Sequence, residues 1–217
     1  MAPQKPTGQT GPITVGIENS DPSARWKKIE FPRAKADIER FVFELWLSET
    51  RKAGGTIYES VQNPEDDFDF TLQLPGGPVH LDLTEIFYHD GQQRPYDGQR
   101  TRIKSYRFAE QVFNSITAKS DHYGKPGSIP IHLLTYITHW RFSPSEVAIR
   151  LVQHFLLETP PIIENVFFLE PFDATAANLR VLFPSRNPLE GHDPEEFREH
   201  GYLNLDPSNW QIVRKRT

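Results

Sequence analysis

The sequence predicts a mixed α/β (α+β) fold, with a mixed central β-sheet flanked by helices. Three observations carry this. Helical and strand periodicities follow one another as helix, three strands, helix, strand, helix, two strands. The first three strands lie close together around the turn Pro75-Gly76-Gly77-Pro78, as in an antiparallel hairpin or meander. A helix then precedes the next strand, as in a crossover connection that adds it to the same sheet.

The elements follow in order. Residues 34–50 read as a helix with Ile38, Phe41, Val42, Leu45 and Glu49 on one face, ended by Gly54-Gly55. Residues 56–61 are a short strand. Residues 68–74 alternate, with Phe68, Phe70, Leu72 and Leu74 on one side. Residues 79–87 return, with Val79, Leu81 and Leu83 opposed to His80, Asp82 and Thr84. A polar loop over 89–99 leads to a helix over 103–123, striped by Phe108, Val112, Ile116, Lys119 and Tyr123. Residues 130–138 form an apolar strand. Ser143-Pro144-Ser145-Glu146 reads as a capping box that opens a helix to about residue 157. Residues 162–172 and 178–183 are two further strands that pair.

The ends differ from this body. Residues 1–24 are rich in Pro, Gly, Gln, Thr and Ser and are expected to be disordered, with few core contacts. Residues 25–184 form the single domain, and 185–217 are a polar extension with Phe197, Tyr202, Leu203 and Trp210 as surface anchors. The chain has no cysteine, which excludes disulfides and thiolate metal sites and fits a reducing compartment. No apolar run is long enough to span a bilayer, and the N-terminus lacks the apolar stretch of a secretory signal, so a cytoplasmic location without membrane contact is expected. The net charge of -5 argues against tight non-specific binding to nucleic acid but leaves room for a local basic patch. Candidate basic segments are 94–107 and 214–216.

The chemistry concentrates in Asn63-Pro64-Glu65-Asp66-Asp67-Phe68-Asp69-Phe70 and Val79-His80-Leu81-Asp82-Leu83-Thr84-Glu85-Ile86. Asp67 stands at the mouth of one strand. Asp82 lies inside the next, between two leucines, where a carboxylate is costly unless it is paired, hydrogen-bonded or metal-bound. Two acids on adjacent strands can hold Mg²⁺ or Mn²⁺, which neutralises charge around phosphorus and activates water. His80 shares the face of Asp82. The pairs His89-Asp90 and His192-Asp193 lack metal-site spacing. Gly124-Lys125-Pro126-Gly127 is not a phosphate loop, and no serine sits in a nucleophile elbow.

These two strands, with the following "SITAKSDHYGKPGSIPIHLLTYIT", resemble the PD-(D/E)XK, restriction endonuclease-like superfamily over residues 41–183. Its pattern is Pro-Asp, a turn, then Asp/Glu-X-Lys. The resemblance implies a metal-dependent nuclease or phosphodiester hydrolase acting on DNA or RNA. Asp67 matches the first aspartate and Asp82 the second acid, and the backbone carbonyl of Leu83 is a further metal ligand. Asp66 replaces the proline and Thr84 the lysine. In related folds a lysine from the next helix substitutes, and Lys119 fits that place. An acid of the first helix also joins such sites, and Glu44 is the candidate. Structural readings stand beside each of these roles. Asp82 can be a buried ion-paired acid, Lys119 can snorkel at its helix end, and Glu44 can be a solvated surface acid. With Thr84 in place of lysine, an inactive binding or structural protein on the same fold is the alternative.

Overall fold

The structure is a computed structural model that describes residues 9–18, 21–64, 68–88, 102–124, 127–186 and 188–209. Its strands are β1 (Ile13–Glu18), β2 (Asp21–Trp26), β3 (Glu59–Gln62), β4 (Phe70–Leu74), β5 (Gly77–Glu85), β6 (Ile103–Lys104), β7 (Ile131–Tyr136), β8 (Asn165–Pro171), β9 (Ala177–Phe183) and β10 (Gly201–Tyr202). Its α-helices are α1 (Lys35–Lys52), α2 (Ser105–Tyr123) and α3 (Glu146–Glu158).

Six strands make the central sheet in the order β3-β4-β5-β7-β8-β9. The pairs β3–β4 and β4–β5 are antiparallel, β5–β7 and β7–β8 parallel, and β8–β9 antiparallel. For the central sheet and its helices, the element order expected from the sequence is therefore the order in the fold; β1, β2, β6 and β10 are additions outside that sheet. The alternation along each strand sorts side chains into two clusters. Leu81, Leu83, Leu134 and Tyr136 pack with Val42, Phe43 and Trp46 of α1. Ile131, Leu133, Val166 and Phe168 pack with Phe108, Val112 and Ile116 of α2 and Leu151 and Val152 of α3. Helices thus cover both faces, and β7 is buried at every position, as a strand covered on both sides must be. The buried stripe of α1 is wider than its sequence suggests and takes in Phe43, Trp46 and Leu47. No helix among the described residues is long and apolar enough to cross a membrane.

Three expectations are corrected. Ser145, not Ser143, caps α3, with Oγ accepting from the Ala148 amide at 3.2 Å. Ser143 precedes a proline, which favours extended backbone, and its hydroxyl instead donates to Glu170. The turn between β4 and β5 is tighter than 75–78, because Leu74 pairs with Gly77 and Pro78 belongs to β5. The segment expected to be disordered through residue 24 contains a hairpin, β1 against β2, that runs past that boundary to Trp26. Ahead of it, Thr10 is buried and donates to the carbonyl of Pro171 at 2.8 Å. The Gln9 amide donates to the Thr138 carbonyl and the Trp140 amide to the Gln9 carbonyl, both at 2.9 Å.

The polar C-terminal stretch is also tied to the body. β10 pairs with β6, Leu189 is buried, and Phe197 and Tyr202 pack against the α2/α3 core, while Leu203 is exposed. The expected loop at 89–99, together with Asp67, Trp210 and residues 214–216, lies outside the described residues.

Candidate functional site

Strand alternation places the site. Leu81 and Leu83 turn to the α1 cluster, so Asp82 between them turns to the α2 side, where it is only 6% exposed. On α2, Lys119 and Tyr123 are four residues apart and share a face. Lys119 Nζ donates to Asp82 Oδ2 at 2.6 Å, and the Tyr123 hydroxyl donates to the same oxygen. Asp82 Oδ1 accepts from the Leu83 amide at 2.9 Å. The lysine on the apolar stripe of α2 thus reaches the carboxylate inside the apolar strand, and its own side chain stays 36% exposed.

The second acid is Asp69. β4 begins at Phe70, opposite Leu81, so the ladder between β4 and β5 stops one residue short of Asp82. Beyond that point the Leu83 amide finds no backbone partner in β4 and donates to Asp69 Oδ2 at 2.7 Å. Asp69 Oδ2 and Asp82 Oδ1 both accept from the Leu83 amide, so the two carboxylates lie against each other and each bears on the other's ionisation. Burial, followed by the hydrogen bond and charge of Asp82, pushes the Asp69 carboxyl up to about 7, and the charge of Glu39 adds to the rise. For Asp82, burial opposes ionisation, but the hydrogen bonds of Asp69, Lys119 and Tyr123 outweigh it and hold the carboxyl below its ordinary range. Burial and the Asp82 charge push the Tyr123 phenol far above its usual value, so it acts as a neutral donor.

The remaining predicted residues divide. Thr84 lies on the Asp82 face, and its hydroxyl is buried with no hydrogen-bond partner among the described residues. Leu83 meets both acids through its amide. Glu44 is exposed on α1 and does not join them. The α1 acid whose charge reaches Asp69 is Glu39, which is buried and paired with Lys35 at 3.3 Å. His80 stacks on Phe68 with ring centroids 4.3 Å apart, and Phe68 lies 5.2 Å from Tyr123, making an aromatic wall beside Asp82. Asn63 fastens the start of β4 by donating to the Phe68 carbonyl at 2.7 Å and to Thr71 Oγ1 at 3.0 Å.

Asp69 and Glu39 carried usable signals in the sequence. Asp69 lies inside the alternating run read over 68–74, on the side away from Phe70, Leu72 and Leu74. Glu39 stands three, four and seven residues before Val42, Phe43 and Trp46, on the buried face, whereas Glu44 does not.

No family model matches the chain, and no curated protein matches it. Among solved structures it is similar to SfsA of Pyrococcus furiosus in complex with Ca²⁺, at 10% identity over 78% of this chain and 75% of that one, with a TM-score of 0.28. A superposition that loose carries no argument about this protein, and its site is read from its own residues.

Proposed function

We propose that this chain is a metal-dependent nuclease, or a hydrolase of a related phosphodiester, of the PD-(D/E)XK type. The observation that supports this best is the placement of Lys119 at 2.6 Å from Asp82, with Asp69 against the same carboxylate. A lysine delivered from the following helix answers the substitution of Thr84 at the lysine position of the motif. In this reading Asp69 takes the part assigned by sequence to Asp67.

The donor set suits a hard cation. Two carboxylates crowded together, one of them pushed up to about 7, would be relieved of their mutual repulsion by a divalent ion. Asp69, Asp82 and the Leu83 carbonyl would hold Mg²⁺ or Mn²⁺. Among the described residues no group of three or more His, Cys, Asp or Glu side chains forms a metal site, so water and substrate oxygens would complete the shell. The bound ion would supply charge neutralisation at phosphorus and a more acidic water. Lys119 keeps Asp82 ionised and presents an ammonium toward developing negative charge. Tyr123 fixes the orientation of Asp82.

The test is cleavage of labelled single- and double-stranded DNA and RNA with Mg²⁺ or Mn²⁺, beside Asp82→Asn and Asp69→Asn. The parent is expected to cut only with metal, and each variant to lose at least about 100-fold, the scale of a lost transition-state charge interaction. Absence of metal-dependent cutting on all four substrates sinks the reading. The alternative, a non-catalytic binding protein on the same fold, then takes its place, favoured by Thr84 at the lysine position and by the two-acid site.

A further inference from the structure

The segment from β2 into α1 carries an unusual charge. Residues 25–35 hold five cations, Arg25, Lys27, Lys28, Arg33 and Lys35, against one acid, Glu30, in a chain whose Asp and Glu outnumber Lys and Arg by 29 to 24. All five cations are exposed. Lys27, Lys28 and Arg33 have no ion-pair partner among the described residues, whereas Lys35 is paired with Glu39.

This segment is pinned. Ile29 and Phe31 are each only 6% exposed and anchor it in the α1 cluster. The Lys27 amide donates to the Pro12 carbonyl at 2.9 Å and the Ile29 amide to the Thr10 carbonyl at 2.7 Å. Trp26 Nε1 donates to the Gly11 carbonyl at 3.1 Å. The approach at Gly11 is so close that a Cβ there would meet the Lys27 carbonyl oxygen at 2.0 Å. The cations therefore project from fixed backbone.

The segment also leads somewhere. Its last cation, Lys35, is bonded to Glu39, the α1 acid whose charge is felt at Asp69. Near its other end Lys28 lies within electrostatic reach of His139, in the residues after β7. The acids facing this surface are Asp173, within electrostatic reach of Lys27, and Asp206, near His139.

We infer that the exposed face of residues 25–35, led by Lys27, Lys28 and Arg33, is a binding track for the phosphate backbone of a nucleic-acid strand. Any delivery of the strand to the acid pair of Asp69 and Asp82 rests on the phosphodiester reading of that pair; the binding itself does not. Eleven residues of extended chain span up to about 35 Å, room for several phosphates. Ile29 and Phe31 are turned into the core, and Trp26 is half-buried with its ring nitrogen held by the Gly11 carbonyl, so no large apolar side chain of the segment stands fully exposed to enter a bilayer. A strand backbone fits this surface better than a membrane does.

The test is fluorescence anisotropy in EDTA, with a labelled 20-nucleotide single strand and its duplex, titrated from 50 to 200 mM salt. The charge-removed protein is Lys27→Gln/Lys28→Gln/Arg33→Gln. A control removes equal charge elsewhere, at the exposed Arg51, Lys52 and Arg186, each to Gln. The charge-removed protein should bind at least about 10-fold more weakly than the parent. Its slope of log affinity against log salt should be shallower by about 2 on the single strand and 2 to 3 on the duplex. The control, and the charge-keeping Lys27→Arg/Lys28→Arg/Arg33→Lys, should keep the parental slope. Equal slopes in the charge-removed and control proteins overturn the inference. So does a parent that binds neither oligonucleotide, including one that instead binds phosphatidylserine vesicles. Binding without metal-dependent cutting sinks the nuclease reading alone, and cutting with an unchanged salt slope sinks this inference alone.

Discussion

Asp82 is held between two leucines because each of its oxygens is engaged. Lys119 and Tyr123 share one, and the Leu83 amide takes the other. Its neighbour Asp69 bears the consequence, since two carboxylates in contact cannot both ionise cheaply. The Asp69 carboxyl titrates at about 7 instead of 3.8, so between those values the unfolded chain has released a proton that the folded chain keeps. The stability owed to Asp69 is therefore complete below about pH 4 and is lost as pH rises through 7. Asp82 runs the other way; its contribution is present above 3.8 and is lost as pH falls through its lowered value. In the absence of divalent metal, raising the pH from 5 to 8 should thus cost the parent roughly 1–2 kcal/mol after discounting for solvent screening. Urea denaturation at both pH values reads this, and Asp69→Asn should flatten the dependence. Parallel pH profiles in parent and variant would show that the Asp69 carboxyl is not raised in the folded chain.

At the scale of elements, the β4–β5 hairpin aligns the acids, and its turn sets its register. Gly77 pairs with Leu74 and has φ of 123°, a conformation open only to glycine, although a Cβ there would meet nothing. Gly76 is equally open and has no such φ. Gly77→Ala is therefore expected to destabilise by about 1–3 kcal/mol through backbone strain, while Gly76→Ala stays near neutral. Equal losses on thermal melting would mean that the turn is not held in this conformation. The hairpin was legible because Phe70, Leu72, Val79 and Leu81 alternate on either side of a Pro-Gly-Gly-Pro run. The stopping point of its ladder was not. Which acid meets Asp82 depends on where β4 leaves β5, and the alternation does not mark that point.

At the scale of the whole molecule, the N-terminal segment crosses the ends of β7 and β8 and is stitched there by Gln9 and Thr10. Removing residues 1–24 deletes these hydrogen bonds, all of β1 and four of the six residues of β2, a loss of about 2–5 kcal/mol at roughly 1 kcal/mol for each bond. A chain of this size should then melt lower by about 5–15 °C. A melting temperature unchanged by the deletion would show that the segment rests on the fold without supporting it. Composition hid this role, because few large apolar residues mark the segment. The weak alternation of Ile13, Val15 and Ile17 was its only local sign. By itself the sequence determined the order and type of the central elements, the face of Asp82 and the place of Lys119 on the stripe of α2. Those properties follow from periods of 2 and 3.6 that are written locally. Only the tertiary structure decided that Lys119 and Tyr123 meet Asp82, that Asp69 is its partner acid, that Glu39 and not Glu44 lies near them, and that Gln9 and Thr10 are tied to the ends of β7 and β8. Each of these depends on contacts between residues distant in the chain, which no local pattern encodes.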